Sequence, residues 1–495
     1  MNRGDAITLE IVTRRLREKG LLIAPAVTDT PIHGVSDDSR SAHEGDLFCA
    51  WHGTAYDSHD FVAAAAKAGA VAAIVERQVA SVAIPQVVVS DGRRAAAVGA
   101  AIVYGDPQTH LRFAGCTGTN GKTTTVWILR HLLSARYRTA SIGTLGVVLE
   151  DGRPLEGSEN LTTPGPVELA RVLRRLVDHG IEAVAMEVSS HALDQRRVDA
   201  VAFDVAVFTN LSRDHLDYHQ TFDRYLEAKL ILADRLQAGG VAAVNAADPA
   251  WHDVGQRAPR TLRFAIEQSA DVVAAALEPA DRGTSFTCSY AGKSVRADLP
   301  LIGQFNVENA LGAVSACLGL GFDFVETVNR LATVPQVPGR LERLTDEPFI
   351  VLRDYAHTPD ALERALQTLR PITRGRLIVL FGAGGDRDRG KRPLMGSVAS
   401  RDADVAIVTS DNPRTENPDA IIDEIATGMQ PGRFTRITDR RNAIASALAM
   451  AAPGDVVLLA GKGHETYQVL GREKVPFDER QIVRELLKPG QETPR

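Results

Sequence analysis

A chain of 495 residues is too long for one hydrophobic core, and roughly two to four domains are expected. Its net charge of −6 and pI near 6.1 exclude a general pull toward nucleic acid or an anionic membrane surface. Four cysteines (Cys49, Cys116, Cys288 and Cys317) lack any C-x-x-C spacing, which argues for a reducing compartment and against a zinc site. The N-terminus carries Asp5 and Glu10 without an apolar h-region. The most apolar run, Phe61 to Val75, is alanine-rich and interrupted by Lys67, so a soluble, cytoplasmic protein without a membrane span is expected.

Residues 1–105 read as a small α/β unit. Gly45 to Ala50 and Val71 to Val75 are strand candidates, and Phe61 to Ala66 starts a helix between them. Asp38-Ser39-Arg40 precedes them in a polar turn. Residues 106–335 read as a nucleotide-binding unit. The short segment Leu111 to Ala114 leads into Gly115-Cys116-Thr117-Gly118-Thr119-Asn120-Gly121-Lys122-Thr123-Thr124-Thr125, and Val126, Leu129, Leu132 and Leu133 follow at helical spacing. Strand, glycine-rich turn and helix are the setting in which backbone N–H groups cradle a phosphate. Lys122 would meet the β/γ-phosphates, and the Thr123 hydroxyl would reach Mg²⁺. The standard phosphate loop has glycine where Cys116 stands; here the glycines are Gly115, Gly118 and Gly121.

Further along, Ala183 to Met186 ends at Glu187-Val188-Ser189-Ser190-His191, and Val205 to Phe208 ends at Thr209-Asn210, followed by Asp214-His215. Parallel sheets bind ligands beyond the carboxyl ends of their strands, so Glu187 and His215 are expected on the phosphate-loop rim, where a carboxylate and an imidazole suit a divalent metal. Tyr225 to Leu232 reads as a helix, and composition alone makes Lys229 a snorkelling surface lysine. Residues 260–300 look like a small antiparallel patch, and Asn306 begins a helix ending near Gly319.

Val337-Pro338-Gly339-Arg340 signals a linker, and 336–495 reads as a second α/β unit. Three strong strands in it run into charged loops. Leu377–Phe381 meets Gly382-Ala383-Gly384-Gly385-Asp386-Arg387, Val405–Thr409 meets Asp411-Asn412-Pro413-Arg414, and Val456–Ala460 meets Gly461-Lys462-Gly463-His464-Glu465. Read as a nicotinamide fingerprint, Gly382-x-Gly384 needs glycine where Arg387 stands, which excludes a dehydrogenase. Three charged loops at one sheet edge describe a pocket for a zwitterionic, carboxylate-bearing molecule.

Gly118-Thr119-Asn120-Gly121-Lys122-Thr123-Thr124, Glu187-Val188-Ser189-Ser190-His191, the stretch Asn210 to His219 and Asp411-Asn412-Pro413-Arg414 together resemble the Mur ligases over essentially the whole chain. That family's loop is built around Gly118 and Gly121, so Cys116 is no defect in it. The resemblance implies three α/β domains: one for the UDP end of the substrate, a central P-loop ATPase and a C-terminal Rossmann-like domain for an incoming amino acid. It implies an ATP-dependent, ADP-forming amide ligase of peptidoglycan precursor synthesis, adding meso-diaminopimelate to UDP-N-acetylmuramoyl-L-alanyl-D-glutamate through an acyl phosphate, as a monomer.

Carried over by position, Ser39 and Thr54-Ala55-Tyr56 would lie near the uridine, and Thr162, Thr163, Ser189, Gln195 and Arg197 would bind the muramoyl-dipeptide arm. Glu187, His215, Thr123 and a carbamylated Lys229 would hold Mg²⁺. Asn309, Arg340 and Asp354 would contact the adenosine side of ATP, and Arg387, Asp411 to Arg414, Gly461 and Glu465 would form the amino-acid pocket. An L-lysine-adding counterpart, a sibling Mur ligase and a folylpolyglutamate synthetase stay open within the class. A P-loop protein using ATP only as a switch stays open outside it.

Overall fold

The computed structural model describes residues 7–26, 28–53, 56–157 and 162–487. Its contacts divide the chain into two compact units. The first runs up to Val273 and includes Ser289–Lys293 and Glu308–Val328; the second comprises Ala274–Cys288, Ser294–Val307 and the chain from Asn329 onwards.

The first unit contains two sheets. One is small, with β1 (Leu22–Ala24), β2 (Gly34–Ser36), β3 (Asp46–Cys49), β4 (Ala72–Val75) and β5 (Gln86–Val89) in the order β1-β5-β4-β3-β2. Strands β2 to β5 are parallel and β1 is antiparallel. The helix Leu9–Glu18 buries Leu9, Val12 and Leu16, spaced to fall on one helical face, in a core shared with Ala95, Ala96 and Ala100.

The larger sheet holds the phosphate loop. Its strands are β6 (Arg112–Thr117), β7 (Thr139–Gly143), β8 (Gly146–Leu149), β9 (Ala183–Glu187), β10 (Phe203–Phe208), β11 (Leu236–Asn245) and β12 (Arg260–Ile266), ordered β12-β11-β10-β6-β9-β7-β8. Every pair is parallel except β7 with β8. Strands β6 and β9 are buried on both faces, which is why they read as unbroken apolar runs. Register then decides what shares the rim. Cys116 lies opposite Glu187, and Thr117 lies opposite Phe208, so the phosphate loop, Glu187 and Thr209-Asn210 all leave the sheet at one level. The expected extended region follows as β13 (Val272–Ala280), β14 (Gly283–Tyr290) and β15 (Lys293–Leu299), and then the helix Gln304–Gly319.

The second unit is built on β16 (Glu342–Thr345), β17 (Ile350–Asp354), β18 (Leu377–Phe381), β19 (Val405–Val408), β20 (Phe434–Arg436) and β21 (Val456–Ala460), ordered β16-β17-β21-β18-β19-β20. All are parallel except β16. The three strands with charged loops, β21, β18 and β19, are therefore neighbours. A hairpin that the sequence pattern does not announce, β22 (Tyr467–Leu470) with β23 (Glu473–Pro476), closes over the loop after β19. Arg414 N donates to Val469 O at 3.0 Å, and Gly471 N donates to Arg414 O at 2.9 Å.

Beneath these loops Arg440, fully buried, donates to Glu479 Oε1 at 2.8 Å and to Ala460 O at 2.9 Å. Its partner Glu479 is also fully buried. Removing the guanidinium strands a buried carboxylate. Arg440→Ala should cost about 3–5 kcal/mol of stability, read as a lower urea midpoint with unchanged m-value; a midpoint equal to that of the parent would contradict the brace.

Candidate active site

The phosphate loop is pressed against its neighbours. Gly118 and Gly121 have φ of 151° and 85°. A Cβ on Gly118 would lie 1.9 Å from Thr209 Oγ1, and one on Gly121 would lie 2.2 Å from Asn309 Oδ1. No other residue type could hold both the angle and the approach. Thr119 N donates to Asn210 O at 2.7 Å and Asn120 N to Asn210 Oδ1 at 3.0 Å. Asn210 thus fastens the loop, and the part of it suited to an anion is the start of the helix Lys122–Leu133, whose N-cap is Gly121.

Two lysines meet at this loop. Lys122 Nζ donates to Gly118 O at 2.9 Å and Thr119 O at 2.8 Å, and Lys229 Nζ donates to Gly118 O at 2.7 Å. Lys229 is only 1 % exposed, which corrects its reading as a surface lysine. The helix Phe222–Asp234 turns that face inward toward the loop, with Lys229 Nζ 4.6 Å over the Tyr225 ring. Burial, and secondarily the charge of Lys122, hold the Lys229 amine well below the usual lysine range.

Glu187, buried at the end of β9, accepts from Thr144 N at 2.8 Å and Thr144 Oγ1 at 3.2 Å. From there one network joins the residues assigned to the substrate arm. Thr162 Oγ1 lies 3.2 Å from Thr144 Oγ1; Thr163 Oγ1 donates to Glu187 O at 2.9 Å and accepts from Ser189 N at 3.1 Å. Arg197 donates to Thr163 O at 2.8 Å and to Gln195 Oε1 at 2.7 Å, and Gln195 reaches Tyr218 OH at 3.2 Å. The bonds of this guanidinium go to neutral oxygens, and burial lowers its pKa, so it is suited to receive an anion. His191 meets His215 edge-on and Tyr218 at a tilt, with ring centroids at 4.8 and 4.3 Å. Burial, with the Lys122 charge nearby, lowers the pKa of His215 and favours the neutral imidazole.

A cavity of about 680 Å³ opens on the same rim, lined by Asn210, Phe222, Asn245 and Asp248. A larger cleft of about 880 Å³ lies at the opposite, amino-terminal strand ends, and ion pairs such as Arg94–Asp199 and Arg112–Asp204 cross its walls. Chemistry, not size, selects the first. Ser39 is half-buried in its turn after β2, and Tyr56 is exposed with its ring edge-on to Phe61; Thr54 and Ala55 lie outside the described residues.

In the second unit, Asp354 accepts from Leu341 N at 2.7 Å and Ala356 N at 2.8 Å, and the Arg340 guanidinium lies 4.7 Å from the Tyr355 ring centre. Asn309 belongs to the first unit, at the phosphate loop. In the loop after β19, Arg414 turns to Gly385 O at 2.8 Å and does not pair with Asp411. Gly461, at φ 113°, lets Asp411 approach so closely that a Cβ would stand 2.7 Å from its Oδ2. Asn412 Nδ2 donates to Glu465 Oε2 at 2.9 Å. Arg387 is exposed and donates to Asp386 O. The loop after β18 is held instead by Arg392, fully buried, which forks onto Glu416 at 2.8 and 2.9 Å and reaches Glu424 at 2.9 Å.

Three family models match: the Mur ligase middle domain over residues 116–317, the Mur ligase glutamate ligase domain over 339–463, and the Mur ligase family catalytic domain over 31–122. UDP-N-acetylmuramoyl-L-alanyl-D-glutamate–2,6-diaminopimelate ligase of Geobacillus thermodenitrificans is 43 % identical over 91 % of this chain and 94 % of its own. The chain belongs to the Mur ligase family. The enzyme of the same description from Trichormus variabilis is also 43 % identical, over 94 % of this chain and 96 % of its own. A solved structure of a ligase so described superposes with a TM-score of 0.71 at 34 % identity, covering 97 % of this chain and 99 % of its own.

In this Mur ligase, the sequence motifs do not include Thr144 or Arg392, and Lys462 stands in a charged loop without a role of its own. Thr144 had a signal: it directly follows β7, the strand beside β9, and a Cβ on the preceding Gly143 would stand 2.3 Å from Glu187 Oε1. Among the described residues no cluster of three His, Cys, Asp or Glu side chains forms a metal site. One carboxylate, one neutral imidazole and the Thr123 hydroxyl still fit Mg²⁺, which keeps waters and takes phosphate oxygens to complete its shell. No helix among the described residues is long and apolar enough to cross a membrane.

The buried amine makes a pH-dependent stability difference. Below 10.5 the unfolded chain protonates Lys229 while the folded chain resists, so the fold is penalised increasingly as pH falls through that window. Lys229→Met should therefore raise Tm in carbon-dioxide-free buffer at pH 7.5, with the gain shrinking toward pH 10.5. A gain independent of pH, or a loss at pH 7.5, would contradict the burial of this amine.

Proposed function

We propose that the protein is an ATP-dependent ligase that joins meso-diaminopimelate to UDP-N-acetylmuramoyl-L-alanyl-D-glutamate, working in the cytoplasm on peptidoglycan precursors. The observation that carries the proposal is the pairing of a glycine-tight phosphate loop with the network of Thr163, Ser189, Gln195 and Arg197 on one sheet rim. Residues 1–105 take the uridine end, with Ser39 and Thr54 to Tyr56 nearby. Residues 106–335 take ATP and the peptide arm, and 336–495 take the amino acid. Asn309, Arg340 and Asp354 serve the nucleotide.

A carboxylate is a poor electrophile until one of its oxygens becomes part of a leaving group. An oxygen of the D-glutamyl carboxylate attacks the γ-phosphorus of ATP, and the bond to the β,γ-bridging oxygen breaks, releasing ADP. Lys122 and the amides at the start of its helix hold the phosphates, while Arg197 steadies the peptide arm. The neutral amine of the amino acid then attacks the acyl carbon and gives up a proton to solvent. The tetrahedral adduct expels inorganic phosphate and leaves the amide. Mg²⁺, held by Thr123, Glu187 and His215, would neutralise charge on the transferred phosphoryl group.

Lys229 joins this set through its neutral amine, which adds carbon dioxide and loses a proton to give a carbamate. The adjacent Lys122 cation favours the anion so formed. Lys229→Ala should leave ATP binding within about threefold of the parent and lower turnover by roughly 100-fold or more. Parent-like turnover in that variant would overturn the role.

The choice of amino acid rests on the loop after β19. Meso-diaminopimelate is a lysine whose far carbon carries a second carboxylate, and Arg414 offers donors beyond the one used on Gly385. L-lysine would leave that guanidinium desolvated and unmatched. ADP release with the UDP-linked dipeptide should therefore favour meso-diaminopimelate over L-lysine by about 100-fold or more in kcat/KM. Arg414→Ala should erode the ratio chiefly by weakening diaminopimelate. Equal use of both amino acids by the parent, or rapid ATP hydrolysis with ATP alone, would contradict the proposal.

A further inference from the structure

Lys462 is the one lysine of the amino-acid loops that is wholly buried, at 0 % exposure, and no step above uses it. It sits at the end of β21 between Gly461 and Gly463, and its ammonium crosses to the loop after β19. Nζ donates to Asn412 Oδ1 at 3.0 Å and to Glu465 Oε2 at 3.2 Å, and stands 3.6 Å from Asp411 Oδ1. The last separation is too long for a hydrogen bond, and Asp411 Oδ1 is buried without a hydrogen-bond partner. Asn412 has its orientation fixed from three sides: its oxygen accepts from Lys462 Nζ and from Val469 N at 2.9 Å, and its amide donates to Glu465 Oε2 at 2.9 Å. The hairpin strand closes the cluster, with Gln468 Nε2 donating to Asp411 O at 2.9 Å and the Tyr467 ring centre 5.9 Å from Nζ.

Burying an ammonium is costly unless it is paired. A packing role alone would be served by an apolar side chain of similar length. Lys462 instead faces two carboxylates, so the three groups carry one net negative charge and one acceptor, Asp411 Oδ1, that nothing in the cluster satisfies. That deficit is the complement of one further ammonium.

Resting on the ligase reading above, we propose that Lys462 is a positioning residue of the amino-acid pocket. Its ammonium locks Asn412 and Glu465 in place and sets the charge of the cluster so that it accepts one ammonium of a diamino acid. Without it, Asp411 and Glu465 lose the cation between them, and Asn412 and Glu465 lose the donor that holds both. Lys462 need not touch the substrate; it acts through Asn412 and Glu465.

The test is steady-state kinetics on the full chain with Lys462→Met, which keeps the length and loses the charge. KM for meso-diaminopimelate should rise roughly 30-fold or more, with kcat within about threefold and KM for ATP and for the UDP-linked dipeptide unchanged. Lys462→Arg, which keeps the charge, should recover part of the loss. A purely structural lysine would instead lower Tm and kcat together and leave KM for diaminopimelate within about threefold of the parent; that outcome overturns the inference. If Lys462→Met does not fold, Lys462→Gln is read by the same split. A parent enzyme that does not use diaminopimelate overturns the ligase reading and this inference with it. A parent that uses it, with an unchanged KM in the variants, overturns this inference alone.

Discussion

The carbonyl of Gly118 accepts from two lysine amines, Lys122 at 2.9 Å and Lys229 at 2.7 Å. Two cations on one neutral oxygen repel each other in a buried site, which favours the neutral form of the more buried amine. That amine is Lys229, 111 residues from Gly118 in sequence, where burial and the charge of Lys122 lower the pKa. Much of the first unit serves to keep that arrangement. Thr209 and Asn309 press so closely on the loop that its glycines cannot be replaced, and Asn210 ties down two of its amides. The loop thus keeps the positive charge of Lys122 and, next to it, a buried amine whose neutral form is favoured.

Parallel register does the rest of the positioning. Cys116 opposite Glu187 and Thr117 opposite Phe208 bring the loop, the carboxylate and Asn210 to one rim, where side-chain bonds such as Asn120 N to Asn210 Oδ1 then fasten them. The second unit repeats the device with β21, β18 and β19, whose loops are tied together from below by Arg440 and from the side by Arg392. Both are buried cations whose partners are carboxylates, arrangements that fix geometry more than they add stability.

The strands and their loaded loops were legible because unbroken apolar runs ending in glycine or charge report a parallel sheet directly. Leu377–Phe381 and Val456–Ala460 carry the same bounds in sequence and structure. Burial of Lys229 was not legible: Tyr225 to Leu232 carries apolar residues around much of the helix, so periodicity does not say which face turns inward. The hairpin β22–β23 was invisible for a different reason. Its strands are half-buried or exposed and lack the alternation that marks a strand with one buried face. Arg414 and Asp411 stand three positions apart in a mixed-charge turn, which suggests a local pair; the backbone instead sends one to Gly385 and the other toward Lys462.

Activation of the D-glutamyl carboxylate by phosphoryl transfer is the central claim, and oxygen tracing tests it directly. The UDP-linked dipeptide would be prepared with ¹⁸O in that carboxylate and turned over with ATP and meso-diaminopimelate. An acyl phosphate requires that each turnover carry one labelled oxygen into inorganic phosphate while the other stays in the amide. Phosphate free of label, with both labelled oxygens still on the peptide or lost to water, would contradict the account.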